Sequence, residues 1–125
     1  VHIGNITITS FNPFNYGYAT YGIVIGDKRA RMAGFAGYAI PIMIDFLFSH
    51  KEITRIQEGV ISDNVNSCKT LESIGFKKEG VFRQNIRLNS GKLCDTYHYG
   101  ILKKEWQEIK KNLYWILDRY QVTNN

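Results

Sequence analysis

The stretch Tyr18–Gly37, YATYGIVIGDKRARMAGFAG, decides the fold. Its first part, Tyr18–Ile25, is rich in aromatic and β-branched residues, which predicts a strand. Gly26-Asp27 ends that strand. Lys28–Gly37 then reads as a basic loop rich in Gly and Ala. Beyond it Ala39/Ile40, Met43, Phe46/Leu47 and His50 recur at helical spacing. A helix that starts behind such a loop presents free backbone N–H groups and a partial positive charge. Small residues let the backbone close around phosphate oxygens, and Lys28, Arg29 and Arg31 add charge on the same side. The expected ligand is a pyrophosphate, and an ordinary strand-to-helix turn is the alternative. Pro41 complicates the helix because it has no N–H and crowds the preceding turn. A start near Tyr38 removes the conflict, whereas a start at Ala36 predicts a kink.

Upstream, Ile3–Phe11 places Ile3, Ile6 and Ile8 among Thr and Asn, a second strand-like run, and Asn12-Pro13-Phe14-Asn15 is turn chemistry. The two strands make a hairpin. Downstream, Glu52–Ile61 reads as a third strand and Asn66–Ile74 as a short helix with Cys68, Leu71 and Ile74 inward. Gly75 closes that helix. Phe76–Leu88 and Lys92–Leu102 are two strands around Asn89-Ser90-Gly91, a hairpin turn. The order ββαβαββα is a mixed α/β domain.

The chain has 125 residues, 44% of them hydrophobic, which fits one domain with its own core. No apolar run approaches the ~18 residues of a membrane span. Val1-His2-Ile3-Gly4 has neither the basic nor the apolar region of a signal peptide, and there is no initial Met. The chain is therefore expected to begin inside a longer protein. Net charge is +5 at neutral pH. Excess positive charge suits an anionic partner, but no block of like charges and no nucleic-acid recognition motif accompanies it. Cys68 and Cys94 form no CxxC and no metal-ligand spacing, so no metal is expected. Two free thiols suit a reducing, cytoplasmic compartment.

Several of these features occur together in a known order. Arg31-x-x-Gly34-x-Ala36 follows a hairpin whose second strand ends Gly22-Ile23-Val24-Ile25-Gly26-Asp27. A strand leading to Asp63-Asn64 comes next, then a short helix closing on Gly75-Phe76-Lys77-Lys78-Glu79-Gly80. From about Ile3 to Trp106 the chain resembles the GNAT family of acetyl-CoA-dependent N-acetyltransferases. Within it, the chain looks most like the branch with ribosomal-protein alanine acetyltransferases and bacterial amino-sugar acetyltransferases. His2–Ile6 and Gln57–Val60 look more like the sugar-modifying members.

The resemblance implies a mostly antiparallel GNAT-like sheet flanked by helices, without the N-terminal strand and helices that usually wall the acceptor site. It implies that acetyl-CoA is the cosubstrate and that its pyrophosphate rests on Arg31, Met32, Ala33, Gly34, Phe35 and Ala36, with Arg29 adding charge. The pantetheine arm is expected between the splayed strands, along Ile23, Val24 and Ile25, where unpaired amides can bond it. Asn64 matches the family's pantetheine-binding Asn; it also fits a helix cap. The implied chemistry is direct attack of an amine on the thioester. The acceptor is an amino-sugar nucleotide or a protein N-terminus, and the runner-up is a CoA-binding module without turnover or a truncated pseudoenzyme.

The chain departs from the family pattern at the catalytic positions. Leu71 stands where relatives carry a Tyr that protonates the leaving thiolate, and Thr20 stands where many carry a Glu base. Glu58 and the three histidines, His2, His50 and His98, are candidates to replace the base. Glu58 alternates with Ile56 and Val60, so it points to the apolar face, where a carboxylate would be desolvated and its pKa raised. If the other face is inward, Glu58 is solvated instead. His98, in Tyr97-His98-Tyr99, is the second candidate. Of the other candidates, His50 reads as a structural helix-end residue and His2 carries no further argument; Cys68 reads as a small buried hydrophobe, with a thiol near CoA as the alternative.

Residues 103–121 are expected to form an amphipathic extension. Trp106, Ile109, Leu113, Ile116/Leu117 and Tyr120 make its apolar stripe, and Lys103, Lys104, Lys110, Lys111 and Arg119 lie mostly off it. The stripe packs on its own domain or forms a homodimer contact; Asp and Glu residues argue against a membrane surface.

Overall fold

In the computed structural model the described residues are 2, 4–12, 17–32, 34 and 36–113. Five strands form one sheet: β1 (Gly4–Asn12), β2 (Tyr18–Ile25), β3 (Arg55–Ile61), β4 (Lys77–Arg87) and β5 (Leu93–Leu102). Their spatial order is β1-β2-β3-β5-β4. Four helices accompany them: α1 (Lys28–Met32), α2 (Ala36–Phe48), α3 (Val65–Ile74) and α4 (Lys103–Ile109), the last followed by a 3-10 turn at Lys110–Asn112. The expected mixed α/β, mostly antiparallel architecture is the observed one.

Every pairing is antiparallel except β2 with β3. That parallel pairing covers Tyr18–Thr20 against Arg55–Gln57 and then stops, although both strands continue. The strands splay from there, so Tyr21–Ile25 and Glu58–Ile61 face an opening. The β4–β5 turn follows its sequence: Gly91 has φ +89°, which favours glycine, and Leu88 N–H donates to Lys92 O at 2.9 Å.

One face of the sheet makes the core. Ala19 and Tyr21 of β2, Ile56 and Val60 of β3 and Tyr99 and Ile101 of β5 are buried with Ile40, Ile44, Leu47 and Phe48 of α2 and Cys68, Leu71 and Ile74 of α3. The other face carries Thr20, Gln57, Gly59 and His98 by the alternation of strand side chains. Trp106 of α4 is 1% exposed, and its Nε1–H donates to Asp45 Oδ1 of α2 at 2.9 Å. Ile109 and Leu113 pack against the core. Ile116, Leu117, Arg119 and Tyr120 lie outside the described residues.

Three local expectations are corrected or decided. The basic segment after β2 is not all loop. Lys28–Met32 is a helical turn and a half, because Asp27 caps it: Arg29 N–H donates to Asp27 Oδ1 at 2.8 Å and Arg31 N–H to Asp27 O at 3.1 Å. Secondly, of the two starts left open for α2 the structure has the one at Ala36 rather than the one near Tyr38, so Pro41 is inside the helix. Its ring is fully buried, and core packing offsets the hydrogen bond that Gly37 O cannot receive from it. The buried stripe of α2 is Ile40, Ile44 and Leu47/Phe48, while Phe46 is 52% exposed and meets His50 edge-to-face. Thirdly, β3 begins at Arg55, three residues later than the pattern suggests, although Ile53 is already buried.

Candidate functional site

The splay creates two cavities on opposite faces of the sheet. The larger, about 590 Å³, lies on the core face between β2, β3 and the starts of α2 and α3. Ile23, Val60, Ile40 and Leu71 supply its apolar wall, and Arg31, Gly34, Asn64 and Asn66 supply polar positions toward the helix starts. The smaller, about 310 Å³, is lined by Thr20, Gln57, Gly59 and His98 of the other face and by Arg55. Among the described residues, Tyr21 and Glu58 line both cavities. They stand on the two arms of the fork, just beyond the last paired residues, Thr20 and Gln57.

Glu58 has the environment that the alternation predicted. It shares the apolar face with Ile56 and Val60, and its Oε2 is buried without a hydrogen-bond partner among the described residues. Burial pushes its carboxyl up to about 7. The Tyr21 hydroxyl is the other buried side-chain polar atom without a partner there. Burial, and secondarily the nearby Glu58 carboxylate, raise the Tyr21 phenol well above its ordinary value. Tyr21 was not singled out in the sequence. An aromatic in a strand reads as core, and only the tertiary structure shows that its hydroxyl is buried without a partner among the described residues.

His98 is placed differently. It lies opposite Gly59 in β3, so it lines the smaller cavity from the face away from the core. Its Nε2 is 3.3 Å from Thr96 Oγ1, and its ring stacks on Phe82 with centroids 3.9 Å apart. His50, two residues beyond the end of α2, has its Nδ1 3.1 Å from Phe46 O, a contact with the last turn of its own helix.

The phosphate-side residues also separate. Arg31, Gly34 and Ala36 line the larger cavity. Gly34 has φ +76°, and its carbonyl accepts from Gly37 N–H at 3.0 Å, turning the chain into α2. Arg29 is not at the cavity: its side chain is 93% exposed and its guanidinium lies 3.6 Å from Asp27. The α1 turn carries Arg29 and Arg31 in different directions, which a loop reading could not foresee. Ala33 and Phe35 lie outside the described residues. Ile23 lines the larger cavity, and the backbones of Val24 and Ile25 continue β2 beyond the fork. Asn64 caps α3, its Oδ1 accepting Ser67 N–H at 3.2 Å, and lines the cavity as well.

No protein-family model matches the chain. An uncharacterized N-acetyltransferase, p20, of Bacillus licheniformis is 37% identical over 73 residues, 58% of this chain and 40% of its own length. The uncharacterized N-acetyltransferase YnaD of Bacillus subtilis is 27% identical over 105 residues, 83% of this chain and 59% of its own. A solved structure described as an acetyltransferase superposes with TM-score 0.78 and 28% identity over 90% of this chain and 57% of that one. The chain is similar in sequence and in fold to GNAT N-acetyltransferases.

The ribosomal-protein-S5 alanine acetyltransferase of Vibrio fischeri also shares the fold, with TM-score 0.72 and 25% identity over 83% of this chain and 56% of that one. So does a spermidine N-acetyltransferase of Vibrio cholerae solved with CoA and spermine, with TM-score 0.76 and 24% identity over 84% and 60%. The chain spans between two-fifths and three-fifths of the length of these proteins. Leu71 is 3% exposed in the apolar wall of the larger cavity. Thr20 lines the smaller cavity on the opposite face. Among the described residues no group of three or more His, Cys, Asp or Glu could hold a metal ion, and no helix is long and apolar enough to cross a membrane.

Proposed function

We propose that this chain carries the acetyl-CoA-binding part of an N-acetyltransferase that moves acetyl from acetyl-CoA to a primary amine by direct attack on the thioester. The observation that carries the reading is the fork itself: two cavities on opposite faces meet at Tyr21 and Glu58. A donor in one cavity and an acceptor in the other would bring a thioester and an amine together there without a covalent enzyme intermediate.

The larger cavity suits the donor. Those backbone amides of Tyr21–Ile25 that point away from β1 toward the splayed β3 can bond an amide-containing arm, Asn64 lies along it, and Arg31 with the Gly34 turn and the start of α2 suits a pyrophosphate. The smaller cavity suits the amine. Glu58, protonated below about 7 and ionised above it, is poised to take the ammonium proton directly or through one water. The amine class includes amino-sugar nucleotides, protein N-termini and polyamines of the kind held by the spermidine acetyltransferase. A second reading, CoA binding without turnover, draws support from Leu71, which cannot protonate a thiolate.

Thiol release from acetyl-CoA by the full-length protein, across a panel of amino sugars, peptides and polyamines, tests the proposal. Amine-dependent release is expected. Thermal protection by CoA with release from no amine would favour the second reading.

A further inference from the structure

We propose that the Tyr21 hydroxyl is the hydrogen-bond donor to the CoA sulfur as it departs. This rests on the reading above that the thioester lies at the fork. In the free protein the Tyr21 O–H is buried, unpartnered among the described residues and at the wall shared by both cavities. A buried hydroxyl without a partner is destabilising, and binding sites are where such a group acquires its partner. Glu58 is the other unpartnered buried group at the same wall. One is a donor and the other, when ionised, an acceptor only, which matches the two needs of acyl transfer from a thiol to an amine.

The step balances with these two groups alone. The amine nitrogen bonds to the acetyl carbon, and the carbon–sulfur bond breaks with its electron pair going to sulfur. The proton lost by nitrogen goes to Glu58 and then to sulfur, which leaves as the thiol. Tyr21 keeps its proton throughout and stabilises the charge on sulfur before that transfer. Burial and the neighbouring carboxylate, which hold the phenol protonated, suit a donor that does not dissociate. The departing sulfur withdraws into the larger cavity, where Leu71, Ile40 and Val60 are apolar and leave it a low-dielectric wall. A charge-assisted bond from Tyr21 there is shorter and stronger than one in water.

The test compares the full-length protein with its Tyr21→Phe variant. Removing an unpartnered hydroxyl should leave the melting temperature of the free protein unchanged or raise it, whereas a Tyr held for structure would lower it. The thiol of bound CoA, followed by ultraviolet absorption of the thiolate, should titrate about one to two pH units higher in the variant, because the donor favours the thiolate. Amine-dependent kcat should fall ~10- to 100-fold with little change in KM for acetyl-CoA. Identical thiol titrations with CoA bound to both proteins would overturn the Tyr21 assignment alone, whether or not acetyl transfer occurs. Failure of CoA to protect either protein against heat would overturn the proposed function and this inference together.

Discussion

Glu58 and His98 lie on opposite faces of the sheet: Glu58 stands opposite Tyr99, and His98 stands opposite Gly59 one residue along. Adjacent pairs of an antiparallel ladder point to opposite sides, so the two candidate bases are not one dyad. Glu58 reaches both cavities, whereas His98 reaches the smaller one, with Phe82 stacked on its ring. Amine-dependent turnover is expected to fall ~100-fold or more in Glu58→Gln and by less than tenfold in His98→Gln. Steady-state kinetics of the two variants decide; the reverse order would move the base to His98.

Activity should also follow the ionisation of Glu58. At saturating acetyl-CoA the rate is expected to rise with pH through about 7 and then level off. A pH–rate profile of the parent protein measures this. A profile flat from pH 5.5 to about 8 would remove Glu58 from the proton path.

Stability carries a second sign of the same burial. The folded-state pKa of Glu58 is raised, so over this interval the folded protein holds more protons at that site than the unfolded chain. Stability is then lost as pH rises from its ordinary 4.5 through about 7. Asp63, Glu79 and Glu105 shift the opposite way, held down by Lys92, Arg55 and Lys77, and gain stability as pH rises through a lower window. The difference between parent and Glu58→Gln isolates the first effect. Between pH 4.5 and 7 the parent should lose melting temperature relative to the variant, and parallel curves would contradict the burial of the carboxylate.

The two arginines of the basic segment should behave unequally. Arg31→Glu is expected to abolish most of the thermal protection given by CoA, because Arg31 lines the larger cavity. Arg29→Glu should leave most of it, since Arg29 faces solvent beside Asp27. Thermal-shift titrations with CoA compare them. Equal loss would mean that the phosphates reach beyond the cavity wall.

The contact of Asp45 with Trp106 fastens α4 to α2. Asp45→Ala should cost ~1–3 kcal/mol by leaving the buried indole N–H without an acceptor. Asp45→Asn keeps a carbonyl oxygen and should recover most of that. Urea unfolding measures both, and equal stabilities for parent and Ala variant would show that the bond contributes nothing net.

Local patterns determined most of the elements of this protein. Branched and aromatic runs, the Asn89-Ser90-Gly91 turn, the Gly75 helix stop and the Cys68, Leu71 and Ile74 spacing are each read from near neighbours, and each stands in the fold. The face of Glu58 was legible too, because strand side chains alternate and both neighbours in the pattern are apolar. What tertiary structure decided is which of those elements meet. Asp27 capped a turn that the composition of Lys28–Gly37 did not announce, and that turn sent Arg29 outward and Arg31 to the cavity. Burial of Pro41 let α2 run through it from Ala36. The role of Tyr21 depends on the point at which β2 leaves β3, a property of two strands far apart in sequence. No local periodicity records it, because an aromatic in a paired strand and one at a fork have the same neighbours along the chain.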